Sequence, residues 1–187
     1  MRLIIGISGS SGVIYGIRML QMLSERADIE THLVMSSSAR LTIGLETTWK
    51  VEEIEVLADV VHNNKNIGAT IASGSFKTAG MVVAPCSMKT LSGIVNSYAD
   101  NLLIRAADVT LKERKKLVII PRESPLHTGH CELMYKASQL GAVICPPVPA
   151  FYTEPKTIDD IIDHSVQRAL SLFDIDMDNM KRWQGNV

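Results

Sequence analysis

Cysteine and excess charge are both scarce in this sequence. Its 187 residues include 3 cysteines, and no C-x-x-C pair is present, so the sequence favours a reduced, cytosolic protein over a disulfide scaffold. The 19 basic residues are balanced by 20 acidic ones, and the formal net charge is −1. This balance argues against a general binding surface for nucleic acids or anionic membranes.

Long apolar runs are also missing. No run approaches the ~20 residues that a membrane-spanning helix needs. The apolar stretch after Met1 is too short for a signal peptide and instead predicts a first strand. We therefore expect a cytoplasmic protein without a membrane span.

The composition that remains is that of a globular chain. A hydrophobic fraction of 46% and a charged fraction of 21% are ordinary values, so global disorder is excluded. The length predicts a single domain over residues 1–187 that can bury a core of its own. We expect a C-terminal tail from about residue 174.

Short runs rich in Ile, Val and Leu alternate with segments of helical spacing. Runs that are apolar throughout are typical of strands buried on both faces of a parallel sheet. Alternation of such strands with helices predicts an α/β fold of three layers around a mostly parallel sheet. The predicted strands are residues 3–7, 30–35, 81–84, 117–120 and 142–145.

Two helices are predicted in the second half of the chain. Residues 97–116 form a long helix whose polar stripe contains Arg105, Asp108 and Lys112. Such a stripe binds an anion or is simply a solvated face with ion pairs. A last helix starts at Thr157, where Asp160 completes a capping box, and runs to about Phe173.

A glycine-rich turn links the first strand to the first helix. The spacing from Gly6 to Gly12 is GxxGxxG, which matches neither the dinucleotide fingerprint nor the P-loop. The second strand ends at Ser36, where a nicotinamide site normally supplies an acid. These features favour a mononucleotide phosphate at the helix N-terminus, and a tight turn without a ligand is the alternative.

Further candidate residues follow the later strands. Ser87 and Thr90 open another helix after residues 81–84, either as phosphate donors or as a simple cap. Arg122 and Glu123 follow residues 117–120. They form either an anion site with a proton-transfer group or a simple surface ion pair. Arg168 borders the apolar stripe of the last helix, from which it reaches an anion or snorkels to water.

Metal binding and thiol chemistry are not favoured. His127 and His130 have no third and fourth ligand at standard spacing, so we interpret them as ordinary histidines at a helix start. Cys86 has no evident histidine partner, so a small packed side chain is expected there.

Taken in order, eight motifs resemble the UbiX-type flavin prenyltransferases, from about residue 2 to Gly185. One motif alone is weak evidence, whereas eight in the family's order are specific. They are Gly9-Ser10-Ser11-Gly12, Ala72-Ser73-Gly74-Ser75, the run from Pro85 to Leu91, Arg105-Ala106-Ala107-Asp108-Val109, Leu111-Lys112-Glu113-Arg114, Pro121-Arg122-Glu123, Pro149-Ala150-Phe151-Tyr152 and Arg182-Trp183.

The resemblance implies a flavodoxin-like (Rossmann-like) fold, a homo-dodecamer and no metal. It implies transfer of a dimethylallyl group from dimethylallyl monophosphate to N5 and C6 of reduced FMN. The product, prenylated FMN, is the cofactor of UbiD-type decarboxylases, which the resemblance makes a partner. The family's members were long described as decarboxylases in ubiquinone biosynthesis and phenolic acid breakdown.

The resemblance also implies roles for individual residues. The FMN contacts are Gly9, Ser10, Ser11, Ser36, Ser87, Met88, Lys89, Thr90 and Arg122. The prenyl-phosphate contacts are Ser73, Gly74, Lys112, Tyr152 and Arg168, partly across subunit interfaces. Glu123 matches the acid of proton transfer, and Ser11, Glu46, Arg105 and Lys112 complete the catalytic set. Ser10 stands where the family commonly has alanine.

Two other functions are compatible with an FMN-binding chain of this pattern. An FMN-dependent cysteine decarboxylase would carry Pro-Ala-Ser-Ala-Asn-Thr where this chain has the residues from Pro85 to Thr90. A non-catalytic FMN-binding or delivery protein would need both phosphate turns but not Lys112, Glu123, Tyr152 and Arg168 together. The presence of all four favours the transferase.

Overall fold

The computed structural model describes residues 1–177 and residue 185, so the Arg182-Trp183 motif and most of the expected tail lie outside the described residues. Strands and helices alternate along the described chain. They are β1 (Arg2–Ile7), α1 (Ile14–Ser24), β2 (Glu30–Met35), α2 (Ser37–Glu46), α3 (Val51–Glu55), β3 (Val60–His62), β4 (Gly80–Cys86), α4 (Met88–Val95), α5 (Leu102–Lys112), β5 (Lys116–Pro121), α6 (Thr128–Gln139), β6 (Val143–Ile144) and α7 (Ile158–Ser171).

The strands form one sheet in the order β3-β2-β1-β4-β5-β6, and every neighbouring pair is parallel. Without the three-residue edge strand β3, this order is that of flavodoxin. The predicted α/β fold with a parallel sheet is confirmed. The edge strand β3 was not predicted, because a run as short as Val60–His62 has no periodicity to detect.

Helices cover both faces of the sheet, as the three-layer prediction requires. On one face, β1, β2 and β4 pack against α1, α2, α3 and α7, with Ile17, Ile43 and Val166 in the core. On the other face, α4, α5 and α6 pack over β4 and β5, with Ile94 and Leu103 in the core. Burial of both faces explains why the strands are apolar throughout.

The helix predicted over residues 97–116 is shorter than expected. Asn101 caps α5, because its Oδ1 accepts a hydrogen bond from the Ile104 N–H at 3.1 Å. Ser97 has a φ of 51°, which no α-helix accommodates. At the other end, Lys116 already belongs to β5. The residues outside both ends are polar and compatible with a helix, so composition alone did not mark the boundaries.

The start of the last helix agrees with the prediction. Thr157 caps α7, accepting a hydrogen bond from the Asp160 N–H at 3.1 Å, while the Asp160 carboxylate accepts from the Thr157 N–H at 2.8 Å. The helix ends at Ser171, two residues before the predicted end. Among the described residues, no helix combines the length and the apolar character needed to cross a bilayer.

Candidate active site

The ligand crevice of an open parallel sheet lies where the strand order reverses, which here is between β1 and β4. Ser8 joins the ends of these two strands. Its N–H and Oγ both donate to the Pro85 carbonyl, at 3.1 and 2.9 Å, and its Oγ accepts from the Ser87 N–H at 2.7 Å. Ser8 is completely buried. It therefore sets the spacing of the two turns that face the crevice.

The glycine turn after β1 packs against the start of α2. A Cβ on Gly9 would lie 2.2 Å from the Ser38 Cβ, so only glycine fits there. The Gly12 N–H donates to the Glu46 carboxylate at 2.8 Å, and Gly12 has a φ of 93°, which favours glycine. Ser36 caps α2 through the Ala39 N–H at 3.0 Å. Gly9, Glu46 and Ser36 are thus brought together.

Ser10 has a buried hydroxyl oxygen without a hydrogen-bond partner among the described residues. A buried hydroxyl without a partner costs about 1–3 kcal/mol. It is therefore a group that a bound ligand would satisfy. The turn thus fits a phosphate-bearing cofactor better than it fits a tight turn without a ligand.

The turn after β4 is the second element of the crevice. Ser87 caps α4, accepting from the Thr90 N–H at 3.3 Å and donating from its Oγ to the Thr90 hydroxyl at 3.1 Å. Met88 is half-buried and Lys89 is exposed. Cys86 is completely buried, and burial strongly raises the pKa of its thiol. The thiol therefore stays neutral, as expected of a packed side chain.

The end of β5 brings Arg122 to the same edge. Its N–H donates to the Cys86 carbonyl at 3.2 Å, and a Cβ on Gly12 would lie 3.9 Å from its Cγ. Tyr15 lies nearby: burial raises the pKa of its hydroxyl, and the Arg122 charge opposes that shift. Glu123 is exposed, and its carboxylate accepts a hydrogen bond from the Ser124 N–H at 3.0 Å.

A different edge of the sheet holds the Ser73-Gly74 segment and Lys112. Lys112 ends α5 and ion-pairs with Glu113, and a Cβ on Gly74 would lie 2.8 Å from the Lys112 Nζ. The hydrogen bond and charge of Lys112 lower the pKa of Glu113. This cluster precedes Gly80 and Lys116, which start the paired strands β4 and β5. It therefore lies at the amino edge, opposite the glycine turn.

Tyr152 and Arg168 belong to the part of the chain that follows the edge strand β6. Tyr152 belongs to a single 3-10 turn, and its hydroxyl oxygen is 3.4 Å from the His164 Nε2. Arg168 donates to the Ser171 hydroxyl at 3.0 Å, and its charge acts on the thiol of Cys145, which follows β6. Because Cys145 follows the carboxyl end of β6, Arg168 lies towards the same edge of the sheet as the crevice.

The polar stripe on α5 and the two histidines have local partners. Arg105 forms an ion pair with Asp108 at 2.8 Å. His127 caps α6, accepting a hydrogen bond from the Gly129 N–H at 3.1 Å, and its ring stacks on that of His130. Over the described ranges, no set of three His, Cys, Asp or Glu side chains is placed to hold a metal ion.

Ser8 and Glu113 are site-forming residues that sequence reasoning did not single out as functional. The one available signal for Ser8 was its place as the first polar residue after a buried strand. Glu113 lies within a motif, but its contact with the Ser73-Gly74 segment spans distant parts of the chain. Neither contact is visible from local periodicity.

The close packing of Gly9 makes a testable prediction. Gly9→Ala is expected to weaken FMN binding at least about tenfold, or ~1.4 kcal/mol, because the new methyl group forces the turn away from Ser38. Fluorescence titration of FMN measures the effect. Gly44→Ala in α2 is the matched control, since a Cβ there meets nothing within 4 Å and replaces a helical glycine. Equal FMN affinity of the two variants would contradict the prediction.

The fold and the two phosphate-ready turns define an α/β flavoprotein, and residues 1–170 match the Flavoprotein family. The chain is 59% identical to the flavin prenyltransferase UbiX of Escherichia coli strain K12, over 98% of both chains. It belongs to this family of UbiX flavin prenyltransferases. The expectation from the eight motifs is thereby confirmed.

Two solved structures are similar over nearly their whole length. A dodecameric FMN-dependent UbiX-like decarboxylase from Escherichia coli O157:H7 superposes with a TM-score of 0.97 and 51% identity, covering 99% of this chain and 100% of that one. AnUbiX (PadA1), in complex with FMN and dimethylallyl pyrophosphate, has a TM-score of 0.96 and 46% identity, covering 100% of this chain and 98% of that one.

Proposed function

We propose that this protein is a cytoplasmic flavin prenyltransferase, which transfers a dimethylallyl group from dimethylallyl monophosphate to reduced FMN. The observation that carries the proposal is the crevice between β1 and β4, where a glycine turn and a capped helix start meet Arg122. The three free cysteines agree with a reducing compartment. The product, prenylated FMN, serves a UbiD-type decarboxylase.

FMN lies in this crevice, with its phosphate at the N–H groups that open the helices. Gly9 allows close approach, and the unpartnered Ser10 hydroxyl and Ser11 lie on the same turn. The capped start of α4 contributes a second set of donors from Ser87 to Thr90. Arg122 adds positive charge at the edge of the crevice. Ser36 completes this group from the start of α2.

The donor phosphate is held by cations and hydroxyl groups. Lys112, Arg168 and Tyr152 neutralise the charge that develops as the carbon–oxygen bond to phosphate breaks. The Lys112 ammonium already lies beside Gly74, which lets a phosphate approach the backbone there. Its ion pair with Glu113 keeps the lysine in place until an anion arrives.

A single chain does not bring these residues together. Lys112 lies at the amino edge of the sheet, whereas the crevice lies at the carboxyl edge. We therefore infer a homo-dodecamer in which neighbouring copies complete each site. The dodecameric relative from Escherichia coli O157:H7 supports this assembly.

The chemistry is shared between the flavin and acid–base groups of the chain. When bound, reduced FMN would supply the nucleophile, N5, which displaces phosphate from the allylic carbon. The double bond of the transferred group would then take up a proton, and C6 would bond to the resulting tertiary carbon and lose its own proton. Glu123 accepts that proton, since its carboxylate is exposed at the end of β5. Glu46 holds the glycine turn through the Gly12 N–H. Ser11 and Arg105 support the site, the latter in an ion pair with Asp108.

Mass spectrometry of the flavin tests the proposed function. Purified protein is incubated anaerobically with reduced FMN and dimethylallyl monophosphate. The mass of the extracted flavin is then measured. A five-carbon increment on FMN is the expected result. Unmodified FMN from folded, flavin-bound protein would favour the decarboxylase or delivery function. Absence of FMN binding would contradict the assignment of both turns.

A further inference from the structure

Phe76 closes the turn that carries the proposed donor contacts Ser73 and Gly74. Its N–H donates to the Ser73 carbonyl at 3.2 Å, which is the hydrogen bond of a four-residue turn. The Phe76 carbonyl accepts a hydrogen bond from the Lys115 Nζ at 3.1 Å, and Lys115 is three residues beyond Lys112. The backbone of Phe76 therefore joins this turn to the chain just after α5.

The ring of Phe76 contacts two side chains of the sheet. The His32 ring meets it edge to face, with centroids 5.0 Å apart and an angle of 73° between the planes. The Arg2 guanidinium carbon lies 4.8 Å from the Phe76 ring centroid, which is the geometry of a cation–π contact. His32 belongs to β2 and Arg2 to β1. The ring thus anchors the turn to two neighbouring strands.

Glu30 orients both of these side chains. One of its carboxylate oxygens accepts a hydrogen bond from the Arg2 Nε at 3.1 Å, and the other lies 3.0 Å from the His32 Nε2. The His32 Nδ1 is 2.9 Å from the His62 Nε2, and His32 is 2% exposed. Arg2 and His32 are therefore held in place by contacts that do not involve Phe76.

We propose that Phe76 is a positioning residue for the prenyl-donor phosphate, acting by holding the Ser73-Gly74 turn against Lys112. This inference rests on the proposed function. A Cβ on Gly74 would lie 2.8 Å from the Lys112 Nζ, so a small shift of the turn changes the distance between its backbone and the ammonium. The contacts of the Phe76 ring limit that shift, and displacement of binding groups by about 1 Å weakens their joint action.

The first test is the KM for dimethylallyl monophosphate. Phe76→Leu keeps an apolar side chain but loses the edge-to-face and cation–π contacts. It is expected to raise KM about three- to tenfold, as loss of two such contacts implies. Both kcat and FMN affinity should change little, because the FMN crevice lies at the opposite edge of the sheet. Phe76→Tyr keeps the aromatic ring and should keep a wild-type KM.

Hydrogen exchange tests the position of the turn without any need for activity. Amide exchange reports local opening of the backbone. Peptides that cover residues 70–79 should exchange faster in Phe76→Leu than in wild-type protein, and at the wild-type rate in Phe76→Tyr. Peptides from the glycine turn after β1 should exchange equally in all three proteins.

Phe173→Leu is the matched control for a loss of stability alone. The Lys116 Nζ lies 5.5 Å from the Phe173 ring centroid, so this variant also loses an aromatic ring beside a cation. Phe173 is 7% exposed and packs in the core on the other face of the sheet, and its substitution should leave the donor KM unchanged.

Three results would overturn the role of Phe76. They are a wild-type KM in Phe76→Leu, unchanged exchange of residues 70–79 in that variant, and an equal rise in KM in Phe173→Leu. Absence of prenylated FMN from wild-type protein would instead overturn the proposed function.

Discussion

Glu123→Gln is expected to bind FMN normally and to form prenylated FMN about 10²–10⁴-fold more slowly, the usual contribution of a general acid or base. The side chain is exposed, and its carboxylate accepts a hydrogen bond from the Ser124 N–H at 3.0 Å. Glutamine retains an oxygen that accepts this bond, so the local structure is preserved. The substitution removes only the group that accepts a proton.

The rate is measured by mass spectrometry of the flavin in a single turnover, beside an FMN titration. Glu132→Gln, an exposed carboxylate on α6, is the matched control and should react at the wild-type rate. A wild-type rate in Glu123→Gln would show that Glu123 does not accept a proton in the reaction. A loss of FMN binding in that variant would assign Glu123 to cofactor binding instead of proton transfer.

Lys112→Met is expected to lower kcat/KM for the prenyl donor about 10–100-fold, while FMN binding stays unchanged. A hydrogen bond to a charged group is worth about 1.5–3 kcal/mol, and Lys112 is remote from the FMN crevice in its own chain. Lys136→Met is the control, because it also removes a lysine from the last turn of a helix. Equal losses in both variants would contradict a role in the site.

Mixed oligomers of the two variants test where each site obtains its residues. Because Lys112 and Glu123 lie at opposite edges of the sheet, we expect one site to take them from different copies. Coexpression of Lys112→Met with Glu123→Gln should then restore activity at about a quarter of the sites, by random assembly. Activity no higher than that of the separate variants would show that one chain supplies both residues.

The elements that sequence reasoning predicted well depend on local chemistry. The five apolar runs became β1, β2, β4, β5 and β6, because strands buried on both faces must be apolar throughout. The caps at Ser87 and Thr157 were predictable because a cap joins residues only three positions apart. The limits of α5 were not, since the positive φ of Ser97 and the start of β5 at Lys116 have no local signal in the sequence.

The candidate site was predictable in its residues but not in their arrangement. The motifs identified Lys112 and Glu123, yet nothing in their spacing indicates that one chain places them at opposite edges of the sheet. The contact between Tyr152 and His164 joins a loop to a helix, and no periodic pattern records it. Side chains that face each other across such connections are placed by the sheet and its covering helices.

By itself, the sequence determined the class of fold, the two turns that suit phosphate and the family of the chain. These follow from hydrophobic periodicity, capping and glycine conformation, which act over a few residues. Only the tertiary structure decided the order of the strands, the Ser8 link between β1 and β4 and the separation of Lys112 from the FMN crevice. Such features depend on contacts between residues far apart in the chain, which packing of the whole sheet selects.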